Sequence, residues 1–413
     1  MTEKKQSDAE IFNTLFFKAC EDHTNGDYQA AKKGYEELLK HFQQSAVLLY
    51  NLGLLLFEIE DLTGARDALQ RAVALAPEDP DILFNLALCC RRQGDVDEAI
   101  RLYRLALERE PESLDIMYNL SGCFREQKEY AEAASLLERV LSIDPDYFSA
   151  WNNLAHIYQV TGELERAVNA YQKVLELQPD KEGAAHMLRA LTGVGARSSP
   201  ASYVREVFDN YSERYEASLV GELGYEVPAR LRSIFDQGCG WKKSFQRGLD
   251  LGCGTGLSGI AFADIVQHFR AVDLSSAMVE QARAKNIYDS VEVCVIEEYL
   301  LRLAGSDNFD FFVAADVFCY LGELDRTLQL LAGLATGDAL LCFSTETGGG
   351  GDSRYLLQPS GRFAHSRAYI EESAGKSGWR IVERQATRLR KEQDRWMVGD
   401  LWFLSPQKAD VSG

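Results

Sequence analysis

A fixed interval between prolines restricts the fold of the first half of this 413-residue chain more than any other feature. Four prolines lie 34 residues apart, the length of one supersecondary unit repeated along a chain. They are Pro77, Pro111, Pro145 and Pro179. Each proline lies near the end of one frame, and the frames are 46–79, 80–113, 114–147 and 148–181. We therefore predict a stack in which each unit buries its apolar face against the next.

Equivalent positions of the four frames carry equivalent side chains. The seventh position is always leucine, the eighth is small, the twentieth is always alanine and the twenty-fourth is large. Small residues allow two helices to approach closely, and the large residue fills the remaining space. The alanines are Ala65, Ala99, Ala133 and Ala167. In these positions the frames resemble the tetratricopeptide repeat, a helix-turn-helix unit, which implies an all-α solenoid.

A weaker copy at 12–45 and an amphipathic segment after Pro179 extend the pattern on both sides. Terminal repeats of a stack are atypical because one of their faces meets solvent. The pattern predicts about five repeats and a capping helix, in a domain that covers residues 1–192. Stacked repeats form a concave groove, so we expect a protein or peptide partner there. An array that docks only on its own second domain, or that forms a dimer, is the alternative.

The composition argues against several classes of function. A formal net charge of −19 repels phosphate backbones and disfavours a nucleic-acid partner. No apolar run approaches the roughly 18 residues of a membrane span, and the first residues are polar, so we expect a cytoplasmic protein without membrane contact. Nine cysteines follow no metal-ligand spacing, and we expect reduced thiols and no metal site.

Residues 193–202 are rich in glycine, serine and proline and predict a linker. From 203 to 413, short apolar strands alternate with amphipathic helices, the pattern of a mostly parallel α/β sheet. Seven strands are expected, near 247–252, 269–274, 291–296, 309–315, 338–344, 379–387 and 396–404. Helices are expected near 204–218, 225–235, 256–266, 276–285, 323–334 and 366–377. The last two strands have no helix between them and should pair antiparallel. That reversal resembles the class I methyltransferase fold, a seven-stranded Rossmann-like domain.

The sequence GLDLGCGTGLSG at 248–259 contains five glycines. Glycine allows positive φ and lets a polar ligand approach the main chain, so the segment predicts a binding turn. Gly254, Gly256 and Gly259 fit the dinucleotide pattern GxGxxG, which leaves a nicotinamide oxidoreductase formally open. The apolar strand ends before that triplet, however, and leads into the frame DxGxGxG, from Asp250 to Gly256. The position of the strand therefore favours the second frame.

The DxGxGxG frame resembles the cofactor turn of methyltransferases that use S-adenosyl-L-methionine. The resemblance assigns Asp250 to the amino group of the cofactor, directly or through water. It also places the turn formed by Gly252, Cys253, Gly254 and Gly256 beneath the methionine part of the cofactor.

A second acidic residue follows the next strand. Asp273 ends an apolar run just before a helix. A carboxylate at this edge of a sheet can accept two hydrogen bonds from ribose hydroxyls, so we expect Asp273 to hold the ribose, with Leu274 beside it. A helix cap is the alternative for Asp273, although Ser275 and Ser276 can also serve that role.

Two further expectations come from the resemblance alone: which residue contacts adenine, and which helix covers the bound cofactor. Many methyltransferases carry an acid after the third strand, but Val295 stands there, which leaves Glu297 or the main chain of Ile296. In relatives with a segment like FDNYSERYE, the leading helix lies over the cofactor. This implies that Tyr211 and Tyr215 close the site, and ordinary helix packing is the alternative for both tyrosines.

The fourth strand leads into FFVAADVFCYLG at 311–322. Ligands gather outside the carboxyl ends of parallel strands, so Asp316 and Tyr320 are candidate wall residues of the acceptor site. A helix cap is the alternative for Asp316. Adenine and glutamine methyltransferases carry a proline pair here, and its absence disfavours chemistry on the amino group of adenine.

An oxygen or nitrogen acceptor usually needs a base, and His365 is the best candidate for that base. The alternative is that His365 has only a structural role.

The repeats, the glycine turn, FDNYSERYE and GRFAHSRAYI at 361–370 together resemble the predicted tetratricopeptide-repeat methyltransferases across nearly the whole chain. The resemblance implies an S-adenosylmethionine-dependent enzyme that methylates a nitrogen or oxygen of a small molecule or a protein. The main alternative is an interaction scaffold that binds the cofactor without turnover, followed by a nicotinamide oxidoreductase. The intact Asp250, glycines and Asp273 favour the enzyme.

Overall fold

A computed structural model describes residues 2–211, 224–238, 241–305, 307–348, 354–392 and 395–407. Side chains are described from residue 12 onward, apart from residues 210 and 211. The chain divides into two compact units, Met1–Gln178 and Pro179–Gly413. This division differs from the expected domain boundary after residue 192, because the helix that follows Pro179 belongs to the second unit.

The described part of the first unit consists of helices joined by short turns. Each helix packs against the next one along the chain. The helices are α1 Thr2–Thr24, α2 Tyr28–His41, α3 Ala46–Glu58, α4 Leu62–Leu75, α5 Pro80–Arg92, α6 Val96–Arg109, α7 Leu114–Glu126, α8 Tyr130–Ile143, α9 Phe148–Thr161 and α10 Leu164–Leu177. The four predicted frames correspond to the pairs α3/α4, α5/α6, α7/α8 and α9/α10, which confirms the repeat prediction.

Side chains at the repeated positions explain why these helices form and pack. Asp61 and Asp95 each cap the second helix of a pair by accepting a backbone N–H bond in its first turn. The recurring alanines are fully buried where the paired helices meet. At Gly53, a Cβ atom would lie only 2.6 Å from Cγ of Leu69, so the small residue of the eighth position is a steric requirement.

The second unit contains eight helices and nine strands among its described residues. The helices are α11 Glu182–Thr192, α12 Ala201–Tyr211, α13 Val227–Gln237, α14 Leu257–Phe262, α15 Ser276–Ala284, α16 Ile296–Leu303, α17 Asp325–Leu334 and α18 Arg367–Lys376, with a short 3-10 helix at Phe318–Tyr320. The strands are β1 Phe245–Leu251, β2 Val266–Asp273, β3 Ser290–Val293, β4 Phe309–Ala314, β5 Ala335–Thr347, β6 Tyr355–Leu357, β7 Phe363–His365, β8 Trp379–Glu392 and β9 Arg395–Pro406.

The sheet has the order β3-β2-β1-β4-β5, with β9 and then β8 beyond β5. The first five strands are parallel, whereas β9 runs antiparallel to both β5 and β8. This reversal confirms the class I methyltransferase fold that the sequence predicted. Every residue of β4 is buried, as expected for a central parallel strand covered on both faces.

Three differences from the predicted elements matter for the site. The strand expected at 291–296 ends at Val293, and α16 begins at Ile296. The short strands β6 and β7 form a hairpin, and β7 pairs with Glu346 and Thr347 at the end of β5. Strands β8 and β9 are longer than expected, and their paired residues extend beyond the last residues of β5. No helix among the described residues is long and apolar enough to cross a lipid bilayer.

Candidate active site

The glycine turn follows β1 directly and adopts a backbone that most residues avoid. Gly252, Gly254 and Gly256 have φ angles of +66°, +53° and +94°. At Gly252, a Cβ atom would also lie 2.6 Å from Cγ2 of Val317. Because only glycine adopts such angles at little cost, the three glycines fix the path of the turn.

Asp250 lies fully buried at the end of β1, beside this turn. Its Oδ2 accepts a hydrogen bond of 2.5 Å from the hydroxyl of Tyr288, and burial raises the pKa of Asp250 to about 7. Its Oδ1 and the Oγ1 atom of Thr255 are buried without a hydrogen-bond partner among the described residues. Unsatisfied buried polar atoms are costly, so two adjacent to a glycine turn fit the polar end of a bound molecule. The sequence analysis did not identify Thr255 or Tyr288.

Asp273 lies at the end of the neighbouring strand β2, and the main chain fixes its carboxylate. Oδ2 accepts a bond of 2.8 Å from the N–H of Gly254, and Oδ1 accepts one of 2.9 Å from the N–H of Ser275. The Oγ of Ser275 caps α15 by accepting from the N–H of Met278. Each carboxylate oxygen retains acceptor capacity, so the geometry is compatible with a ribose diol. Leu274, the next residue, is partly exposed.

The other predicted cofactor residues occupy different settings. Cys253 is buried in the turn, with Sγ 3.6 Å from the carbonyl oxygen of Gly254. Ile296 is the first residue of α16 and is partly buried. Glu297 accepts a bond of 3.0 Å from the hydroxyl of Thr327 on α17, so its carboxylate is already engaged by another side chain. This leaves the main chain of Ile296 as the stronger candidate for adenine.

The leading helix α12 packs near the end of β2. It contacts α15, and Asp209 accepts a hydrogen bond from the hydroxyl of Ser275, the residue that also binds Asp273. Tyr211 is the last residue of α12, but its side chain is outside the description. Tyr215 lies outside the described residues. The predicted role of both tyrosines in closing the site stays a prediction.

Asp316 follows β4 and is one of few non-glycine residues with positive φ, at +60°. Such a conformation is strained and is often found at functional sites. The N–H of Asp316 donates to Oγ of Ser344 at 2.8 Å, and Oδ1 accepts from Arg390 at 2.5 Å. Arg390 also donates to Glu346 at the end of β5. Burial raises the pKa of Asp316, and the nearby Arg362 guanidinium opposes that rise.

Tyr320 and Arg362 form the other side of the same cluster. Tyr320 is buried in the 3-10 helix, and its hydroxyl accepts from Nε of Arg362 at 3.3 Å. Burial raises the pKa of Tyr320 far above its usual value, so the phenol is neutral at physiological pH. Asp316 and Tyr320, both predicted from sequence, thus lie in one polar cluster. The sequence analysis did not identify Glu346 or Arg390, which come from distant segments.

Asp316, Cys319 and Glu346 each carry an atom that could bind a metal ion, and these three atoms lie within 4.8 Å of one another. Arg390, however, already contacts both carboxylates, so a guanidinium supplies the positive charge in this cluster. The arrangement is that of a buried ion-pair network.

His365 has the contacts of a structural histidine. Its Nε2 lies 2.8 Å from the carbonyl oxygen of Leu321 and 3.1 Å from that of Gly322, and its ring stacks on Tyr369. Burial lowers the pKa of His365 to about 4. Because Nε2 is engaged and Nδ1 is buried, the structure does not support the hypothesis that His365 is the base.

A row of asparagines in the first unit was not used in the sequence analysis. The sixth position of each frame is asparagine, and each lies partly exposed on the first helix of its pair. The residues are Asn51, Asn85, Asn119 and Asn153. In the first three, Nδ2 bonds the carbonyl oxygen one turn earlier, at 2.8 to 2.9 Å. The row therefore presents a repeated amide group along the array.

Comparisons with known proteins agree with this architecture. Residues 19–80, 50–113 and 91–148 match one tetratricopeptide repeat family, residues 124–191 match another, and residues 249–335 match a methyltransferase domain. The chain is 29% identical over 143 residues to the cypemycin N-terminal methyltransferase of Streptomyces sp.. That similarity covers 32% of this chain, which spans 57% of the length of the relative.

Solved structures also match part of this chain at low sequence identity. A MamA protein is 22% identical with a TM-score of 0.40, and covers 42% of this chain and 94% of its own. YrrB, described as a TPR protein with an unusual peptide-binding site, is 20% identical with a TM-score of 0.41, and covers 45% and 95%. The chain thus joins an array of tetratricopeptide repeats to a methyltransferase domain of the class I type.

Proposed function

We propose that the protein transfers a methyl group from S-adenosylmethionine to an amine nitrogen. The observation that carries the cofactor assignment is the glycine turn with two unsatisfied buried oxygens beside it, Oδ1 of Asp250 and Oγ1 of Thr255. An ammonium and a carboxylate, the two ends of an amino-acid group, supply the donors and acceptors that these oxygens lack. When bound, S-adenosylmethionine supplies an electrophilic methyl group on a sulfonium sulfur.

Different residues would bind different parts of the cofactor. Asp250 holds the amino group, the glycine turn follows the methionine part, and Asp273 accepts from the ribose hydroxyls. The main chain at Ile296 is left for adenine. Asp250 and Asp273 lie at the carboxyl ends of β1 and β2, and Ile296 follows β3, at the edge where ligands of parallel sheets gather.

Asp316 is the residue that we assign to the acceptor. It lies at the carboxyl edge of β4, and its strained backbone and raised pKa suit a group that holds an amine and takes a proton from it. Asp316 would orient the lone pair of the nitrogen toward the methyl group, so that the new C–N bond would replace the S–C bond and S-adenosylhomocysteine would leave. The proton that the nitrogen then loses passes to Asp316 and on to solvent. The Streptomyces relative is named an N-terminal methyltransferase, and the N-terminus of a peptide is an amine, which supports the choice of nitrogen.

The repeat unit would recruit or position a protein or peptide. The asparagine row supports this role, because a side-chain amide carries the same donor and acceptor groups as a peptide bond. A photoreactive residue in place of Asn119 should crosslink to the bound peptide. The same residue in place of Arg139, on the second helix of that pair, is the matched control, and equal crosslinking by both would contradict this role.

Transfer of a labelled methyl group into fractionated lysate tests the proposed function. Label from S-adenosylmethionine should appear in an amine-containing small molecule or at a peptide amine, and Gly254→Val should abolish it. Cofactor binding without any transfer would support a scaffold instead. Label on an oxygen atom would support methyltransferase activity but would overturn the assignment of nitrogen as the acceptor atom.

A further inference from the structure

Arg362 and Arg390 both belong to the polar cluster around Asp316, but they differ in how closely they pair with carboxylates. Arg390 has a side chain only 2% exposed and contacts Asp316 and Glu346 directly. Arg362 donates Nε to the Tyr320 hydroxyl at 3.3 Å, but its nearest carboxylate oxygens, on Glu346 and Glu392, lie 3.9 and 4.0 Å away. Arg390 is therefore closely paired with two carboxylates, whereas Arg362 is only loosely paired.

Most hydrogen-bond donors of Arg362 make no bond with the residues that the structure describes. A guanidinium carries five N–H donors, and within the described residues only the one on Nε makes a hydrogen bond. The side chain is 24% exposed, so water reaches it only in part. A mostly buried cation with unused donors is costly, and its planar fork matches a carboxylate or a phosphate group.

The backbone holds Arg362 in place before any ligand arrives. The turn between β6 and β7 closes through bonds of 2.8 Å from the N–H of Gln358 to the oxygen of Arg362 and from the N–H of Gly361 to the oxygen of Gln358. His186 lies 2.8 Å from the carbonyl oxygen of Gly361 and fixes the turn from the side of α11. Such preorganisation reduces the entropy lost on binding.

Asp316 offers the opposite chemistry in the same cluster. Its Oδ1 is held by Arg390, while Oδ2 makes no hydrogen bond with the described residues. Glu346 connects the two sides, because its carboxylate lies within 4.8 Å of Asp316 and 3.9 Å of Arg362. Three carboxylates, those of Asp316, Glu346 and Glu392, lie within 4.0 Å of Arg362 or Arg390. A ligand with one positive and one negative group would leave the net charge of this cluster unchanged, whereas a simple ammonium or a simple anion would change it.

We propose that Arg362 binds an acidic group carried by the acceptor, so that the methylated amine belongs to a molecule that also bears a carboxylate or a phosphate. The amine part rests on the proposed function. The anion site itself rests only on the geometry of Arg362 and stands independently of turnover.

A binding measurement tests the anion site on the full-length protein. With S-adenosylhomocysteine present, inorganic phosphate and acetate are titrated separately by calorimetry against the wild type, Arg362→Gln, Arg362→Lys and Arg380→Gln. Arg380 is the matched control, an exposed arginine on β8. We expect the wild type and R380Q to bind at least one anion equally. R362Q should bind it at least tenfold more weakly, with R362K between them.

The outcomes separate the possible errors. No anion binding to the wild type, or equal binding to R362Q, would overturn the anion site. Tighter binding of acetate indicates a carboxylate on the acceptor, and tighter binding of phosphate indicates a phosphate. Binding of S-adenosylhomocysteine to each variant reports that it is folded. A failure of the cofactor alone to bind would count against the proposed function and leave the anion result intact.

A transfer experiment connects the anion site to the acceptor. After reaction with labelled S-adenosylmethionine, lysate molecules are separated on an anion exchanger at a pH above the pKa of ordinary amines, where an amine is neutral and a carboxylate or phosphate alone sets the charge. Label should be retained by the resin, and R362Q should reduce it at least tenfold while R380Q does not. Label only in molecules that the resin does not retain would overturn the proposal. No label in any fraction would refute the proposed function rather than the anion site.

Discussion

The two sides of the candidate site are built in different ways. On the cofactor side, Asp250 and the glycines come from one short stretch, and Asp273 ends the adjacent strand. On the acceptor side, Asp316 and Tyr320 meet Glu346, Arg362 and Arg390, which lie on distant segments of the chain. The first side depends on the path of the main chain, and the second depends on ion pairs between side chains. Substitutions should therefore affect the two sides differently.

The largest effect is expected from Gly254→Val. A β-branched residue at φ +53° would be strained and would disturb the N–H bond to Asp273, so binding of S-adenosylhomocysteine should become undetectable by calorimetry. Gly375→Val is the matched control, because Gly375 lies in α18 with open space around it. The repeat unit should stay folded in both variants, as judged by thermal unfolding. Unchanged affinity in G254V would contradict the position of the turn.

A smaller but still large effect is expected from Asp316→Asn. Asparagine tolerates positive φ, so the backbone is retained while the charge is lost. Removing a group that accepts a proton typically lowers kcat by about 10²–10⁴-fold, with the affinity for S-adenosylhomocysteine unchanged. In the wild type, kcat should fall as acid protonates Asp316, at a higher pH than for an ordinary aspartate because burial raises its pKa. Steady-state rates across pH measure both effects, and an unchanged kcat in D316N would remove Asp316 from the reaction.

Asp250 gives the cofactor side its own dependence on pH. Its pKa is raised to about 7, so the carboxyl of the free protein is protonated below that pH and ionised above it. An ammonium group favours the ionised form, so affinity for S-adenosylhomocysteine should rise by up to about tenfold per pH unit below pH 7 and level off above it. Asp250→Asn should bind more weakly and lose this dependence. A wild-type affinity that is flat across this range would contradict the contact.

The smallest effect on catalysis is expected from His365→Asn. The side chain bonds the carbonyl oxygens of Leu321 and Gly322, so its loss should reduce the free energy of unfolding by about 1–3 kcal/mol. Because the pKa of His365 is about 4, the shape of the kcat profile around neutral pH should not change. A stable variant with kcat reduced more than about a hundredfold would restore the histidine as a base.

The sequence predicted those features that local patterns determine. The repeats were predictable because each frame carries the same small and large side chains, and the turn was predictable because its glycines follow a strand. Helix α16 was missed because VCVIEEYL begins with an apolar run that looks like a strand. The β6–β7 hairpin was missed because strands of three residues are too short to show a period.

The acceptor side was only partly predictable for a related reason. Asp316 and Tyr320 follow β4, and the edge of a parallel sheet indicates them. Nothing near Glu346 or Arg390 in the sequence shows that they meet Asp316, because their proximity depends on how β5 and β8 are paired through β9. His365 was chosen as the candidate base for the same reason, because the sequence does not show the contacts of its ring. In the structure, Nε2 is engaged and Nδ1 is buried.

Calorimetric titration of the full-length protein with S-adenosylhomocysteine and, separately, with NADH tests the central claim most directly. The DxGxGxG turn should bind the sulfur-containing nucleoside in the wild type and in Gly375→Val, but not in Gly254→Val, and NADH should give no heat of binding. Binding of NADH without binding of S-adenosylhomocysteine would contradict the assignment of the turn and, with it, the proposed methyl transfer.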